Sequence, residues 1–157
     1  MALRSVQSWL DEYGESHQNP TNKLIHWICV PVIVFSVVGL LWSLPVPEAF
    51  VRISPAMNWA VLFAMAAIVY YFILSASLAV GMVAVLAGML ALAHWLSGLS
   101  TPLWAISVGI FVVAWVGQFI GHHIEGKKPS FFKDLLFLMI GPVWLLAFVY
   151  QRLGIRY

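Results

Sequence analysis

The chain has 157 residues, of which 62% are hydrophobic and 9% charged, against roughly 25% charged in a soluble domain. That balance excludes an ordinary soluble enzyme, and a formal net charge of +2 is too small to argue for a nucleic-acid partner. The single cysteine, Cys29, excludes an intrachain disulfide.

Ser5 to Ser16 reads as a short amphipathic helix lying at the membrane surface. Trp9 and Tyr13 are four residues apart on one face, with Asp11, Glu12 and Glu15 around it. The polar first 23 residues lack the charged-then-apolar layout of a cleaved signal peptide, so the apolar stretch from Leu24 is expected to be retained as a span. Asn19-Pro20 offers a capping side chain followed by a proline whose missing N–H costs nothing at the first helical position. The prediction is an interfacial helix and loop over 1–19 and a helix over 20–44, closed by Pro45 and Pro47 and kinked at Pro31.

No Asp, Glu, Lys or Arg occurs from Leu24 to Pro47, and none in the 72 residues from Ile53 to Ile124. At about 20 residues per span, the longer run crosses a bilayer about three times. Its punctuation, Ser75-Ala76-Ser77 and Ser97-Gly98 through Thr101-Pro102, divides it into spans at 56–74, 78–96 and 103–121. Lys127-Lys128-Pro129-Ser130 reads as a loop. The last apolar segment, 135–150, is broken by Gly141-Pro142 and is short for a full crossing.

The expected fold is all-α: residues 1–157 as a single membrane domain, a polytopic helix bundle with four spans and the 135–150 segment as a fifth whose crossing stays open. Helices are required because backbone groups exposed to lipid must be paired within each segment. With this parity Arg4, Lys23, Lys127, Lys128 and Lys133 face one side, and Arg52, Arg152 and Arg156 the other, which places the N-terminus in the cytoplasm. The membrane is either a bacterial inner membrane or the endoplasmic reticulum. Most tryptophans, Trp27, Trp42, Trp95, Trp104 and Trp144 among them, fall near span ends and read as interfacial anchors. Gly81 and Gly88, with Ala84 and Ala87, suggest close helix packing.

So few polar groups remain that the histidines carry most of the functional information. An even number of crossings separates His26, entering the first span, from His122, leaving the fourth, so both belong at one face and His94 at the other. His17 can fold back over His26, giving a candidate metal set of His17, His26, His122 and His123. His123 is rotated by about 100° from His122 on a helix, so both bind one ion only if the helix unwinds at Gly121 or Gly126. Helical spacing aligns Asn22 with His26, and Gln118 with His122 and Glu125. Imidazole with or without carboxylate suits zinc, copper or iron; Asn22, Gln118 and Glu125 are candidate catalytic or tautomer-fixing groups. The plainer reading of each histidine is an interfacial polar tip, and for His94, beside Trp95, that is the reading adopted. Lys127 and Lys128 can hold a fatty acid carboxylate, but surface pairing with anionic lipid is the reading adopted.

Trp9 to Pro31, with Tyr13, His17, Asn19-Pro20, Asn22, Ile25-His26 and Pro31, resembles the start of the Mpo1-like family of small membrane proteins. Gln118-Phe119-Ile120-Gly121-His122, followed by Glu125-Gly126 and Pro129, resembles that family's second hallmark. The resemblance implies an iron(II)-dependent dioxygenase that shortens a 2-hydroxy fatty acid by one carbon with O2, in fatty acid α-oxidation. It further implies His17, His26 and His122 as iron positions, with Asn22 and Glu125 in support. The partners expected are the 2-hydroxy fatty acid, O2 and membrane lipid, at a site on the cytoplasmic face. The alternative is a non-enzymatic membrane protein, a small transporter or scaffold whose histidines form a structural metal site or a proton relay. A two-iron desaturase ranks last, because five histidines are too few for the clusters that such enzymes carry.

Overall fold

A computed structural model describes residues 5–126 and 131–157, with side chains for 5–126 and 137–157. Expectations for Lys127 and Lys128 lie outside the described residues. Among the described residues there are seven helices and no strand: α1 Val6–Glu15, α2 Pro20–Trp42, α3 Glu48–Ile53, α4 Trp59–Leu74, α5 Ala76–Ser97, α6 Leu103–Glu125 and α7 Phe131–Leu153.

The helix ends follow local chemistry. Ser5 caps α1 by accepting from Ser8 N, and Asn19 Oδ1 accepts from Thr21 N and Asn22 N, with Pro20 in the first turn of α2. Ser75 serves two helices: its N–H donates to Tyr71 O at the end of α4, and its side chain accepts from Leu78 N at the start of α5. Gly126 ends α6 at φ 72°, a left-handed conformation that an L side chain resists. The helix α2 is continuous through Pro31.

Three helices, α2, α5 and α6, are long and apolar enough to cross a membrane. Their outward positions stay apolar: Val80 on α5 is 64% exposed and Val113 on α6 is 73% exposed, which suits lipid and not water. Three of the four expected spans meet this length; the remaining one, α4, has 16 residues, about 24 Å at 1.5 Å per residue, against a hydrocarbon thickness near 30 Å. The last segment is longer than expected: α7 runs for 23 residues, and its stretch Phe137–Leu153 belongs with α4 among the shorter apolar helices. The six-residue α3 was not anticipated; its Glu48 and Arg52 pair one turn apart at 3.5 Å on an exposed surface.

The most intimate pairing is antiparallel, between α2 and α6. Gly39 abuts Ser107, Gly117 abuts Cys29, and Gly121 abuts Asn22, so that a Cβ at Gly117 would lie 2.6 Å from Cys29 Sγ. Small residues at such a seam let two backbones approach closely where lipid supplies no hydrophobic drive. Gly81 is likewise pressed, 2.6 Å from Leu146 Cδ2 for an added Cβ, whereas Gly88 faces open space and takes no part in packing. A large apolar core gathers Leu10, Tyr13, Val30, Met82, Ile140 and Trp144, and a smaller one near the far end of α2 gathers Phe35, Val38, Ala60, Ala93 and Leu103. Trp144 is buried in the first, not placed as an interfacial anchor.

Candidate metal centre

The antiparallel seam brings the start of α2 against the end of α6, so His26 and His122 meet without any count of crossings. His17 reaches them because α1 ends at Ser16 and the chain reverses over the first turn of α2. Its N–H donates to Gly14 O at 3.0 Å. All three are buried, at 3% exposure for His17, 2% for His26 and 7% for His122. Ring centroids lie 4.1 Å apart for His17–His26, 5.1 Å for His26–His122 and 5.8 Å for His17–His122. One ring nitrogen from each falls within 4.8 Å of the others, close to the roughly 4.2 Å that separates opposite ligands of one ion held by bonds of about 2.1 Å.

Backbone carbonyls set the tautomers. His17 Nδ1 lies 2.6 Å from Tyr13 O and His26 Nδ1 lies 2.9 Å from Asn22 O. A carbonyl only accepts, so each Nδ1 carries the proton and each Nε2 keeps its lone pair. His17 Nε2 is buried with no hydrogen-bond partner among the described residues. Burial pushes the His17 imidazole from its ordinary 6.5 down to about 4; the Tyr13 carbonyl opposes the shift and neighbouring His122 adds to it. A neutral, buried, correctly oriented lone pair is what a metal requires of histidine. Zinc, copper and iron all suit the donor set, so the residues fit a bound ion.

The carboxylate has another task. Glu125 Oε1 accepts from Gln18 N at 2.8 Å, and Oε2 accepts from Asn19 N at 2.9 Å and from Asn22 Nδ2 at 3.0 Å. Asn22 Nδ2 also donates to Ser16 O at 3.2 Å. The end of α6 thereby holds the loop that carries His17, and the cluster is three histidines without the carboxylate. His123 points away and is exposed, as helical rotation requires, and is not among the converging groups. His94 sits at the far end of α5 beside Trp42.

Two features of the site are absent from any spacing argument. Tyr13 stacks on His17 with centroids 4.3 Å apart and planes 10° from parallel, while Trp144 closes on both rings from α7. The carbonyls that orient the two histidines belong to residues four positions earlier, Tyr13 and Asn22, so the i−4 spacing was visible but not the role of the backbone. Within this shell lies a cavity of about 40 Å³, walled by the histidines, Gln118, and apolar side chains such as Val30, Ile33 and Phe137.

The family described as 2-hydroxy-palmitic acid dioxygenase Mpo1-like matches residues 3–153. The 2-hydroxy-palmitic acid dioxygenase MPO1 of Saccharomyces cerevisiae is 28% identical over 154 residues, covering 97% of this chain and 83% of the yeast protein. No solved structure matches the chain. A match that takes in both the α1–α2 corner with His17 and His26 and the end of α6 with His122 spans the entire cluster, and on it the chain belongs to the Mpo1-like family.

Proposed function

We propose that the chain is an iron(II)-dependent dioxygenase that shortens 2-hydroxy fatty acids by one carbon with O2, the step of fatty acid α-oxidation. The observation that carries this reading is the buried set of His17, His26 and His122, with the first two fixed by backbone carbonyls so that Nε2 is left for an ion. The yeast relative's name supplies the substrate class. His17 and His26 through Nε2, together with His122, would hold the iron.

Bound iron would supply the redox chemistry, reduction of O2 coupled to oxidative cleavage between C1 and C2 of the acid. The chain supplies geometry and exclusion. Tyr13 and Trp144 pack over His17 and hold its ring in place, and Val30, Ile33 and Phe137 give the cavity an apolar wall. Glu125 anchors the loop and thereby keeps His17 in register with the two helices. An amphiphile in the bilayer meets apolar outer helix faces and a polar, histidine-bearing end of the bundle, so its tail can remain in lipid while its headgroup enters. Holding headgroup and O2 in one small cavity is the gain from fixed orientation expected of such a site. The charge bias of the sequence favours the cytoplasmic face for this end.

The test is metal content and O2 uptake of purified protein given 2-hydroxypalmitate, in wild type and in His17→Ala, His26→Ala and His122→Ala. Stoichiometric iron and O2 consumption in wild type, both lost in each variant, support the reading. Stoichiometric zinc without O2 uptake would instead favour a structural site in a non-enzymatic membrane protein.

A further inference from the structure

The geometry points to Gln118 as the residue that recognises the 2-hydroxyl of the acid, an inference that rests on the proposed substrate class. Gln118 is only 7% exposed and lines the cavity beside the three histidines. Its Oε1 is buried and has no hydrogen-bond partner among the described residues. A buried acceptor without a donor is destabilising, and a ligand that brings a donor recovers the loss.

The candidate ligand has one donor in its headgroup. At neutral pH the carboxylate of a 2-hydroxy acid only accepts hydrogen bonds, as does that of the parent fatty acid; the hydroxyl O–H is what distinguishes them. An acceptor at Gln118 therefore contributes nothing to binding of the parent acid and favours the 2-hydroxy acid. Neither Glu125 nor Asn22 can replace it: Glu125 is engaged by Gln18, Asn19 and Asn22, and Asn22 Oδ1, although also buried without a partner among the described residues, abuts Gly121 and does not line the cavity. A cavity of about 40 Å³ also has room for water, since about 10–15 Å³ suffices for one molecule. Water satisfying Gln118 in both complexes would erase the preference, so the experiment must separate the two.

Iron-loaded protein in detergent, kept anaerobic so that no turnover occurs, is titrated with 2-hydroxypalmitate and with palmitate, and metal content is measured in parallel. Wild type binds the 2-hydroxy acid more tightly. In Gln118→Met that preference falls about tenfold, the scale of one well-placed hydrogen bond, while palmitate affinity and iron content stay within about twofold. Gln118→Leu, of different shape, repeats the comparison. An unchanged preference in iron-replete variants overturns the assignment and leaves the proposed activity intact. Loss of iron in both variants, or equal weakening of both acids, also overturns it by making Gln118 a structural residue. Wild type that binds no 2-hydroxypalmitate refutes the proposed substrate and this inference together.

Discussion

Replacing Gly121 with alanine puts one carbon atom into the closest approach of α2 and α6. The new Cβ overlaps Asn22 Oδ1 and lies 3.4 Å from both His26 Cε1 and Ile25 Cγ2. Asn22 cannot swing aside freely, because its Nδ2 donates to Ser16 O and Glu125 Oε2. The helices must separate or the amide must surrender those bonds, and overpacking of this kind costs about 1–3 kcal/mol. The same displacement moves His26 relative to His122. Loss of support for metal ligands typically weakens binding about 10–100-fold, so Gly121→Ala is expected to lower metal affinity by that factor and to lower the thermal midpoint in detergent. Gly88→Ala and Gly109→Ala are the controls, since an added Cβ at either meets nothing within 4 Å; both should retain wild-type affinity with equal or slightly higher midpoints. Competition with a chelator of known affinity measures the first quantity and a melting curve the second. Gly121→Ala protein with wild-type values in both assays would refute the claim that this contact sets the position of the histidines.

The pH dependence of the metal-free protein follows from His17. The unfolded imidazole takes its proton near 6.5 and the folded one only near about 4. Stability therefore falls as pH drops through that window, by about 3 kcal/mol in total for this group, and the loss levels off below it. Melting curves across the range should show the slope, and His17→Gln should make it shallower; an identical slope in the variant would be a failure of the prediction. Glu125→Gln keeps the side-chain shape but removes the charge from three hydrogen bonds, so metal affinity should drop about tenfold while stoichiometry at saturating metal is preserved. Complete loss of the site at saturation would instead make Glu125 a ligand. His123→Ala and His94→Ala should hold metal within about twofold of wild type, because one is exposed and the other lies at the far end of α5; loss of metal in either would enlarge the site beyond the three histidines.

How the sequence relates to the site is clearest in particular residues. Ser5 and Asn19-Pro20 announce α1 and α2 because capping is local chemistry, confined to a turn. The uncharged runs announce membrane helices because lipid does not tolerate unpaired polar groups. His26 and His122 were assigned to one end by counting four crossings, and the two residues do meet. The antiparallel α2–α6 seam brings them together directly.

By itself, the sequence determined an all-α membrane protein, the caps that start its helices, and a short roll of polar residues able to do chemistry. Tertiary structure alone decided among them. It turned His123 outward, drew Trp144 and Tyr13 over His17, let the Tyr13 and Asn22 carbonyls set the tautomers of His17 and His26, and set Glu125 to hold the loop and not the cluster. The placing of Trp144 and of Glu125 depends on contacts between residues more than a hundred positions apart. Helical periodicity reports which residues share a face of one helix, but not which neighbour that face will meet.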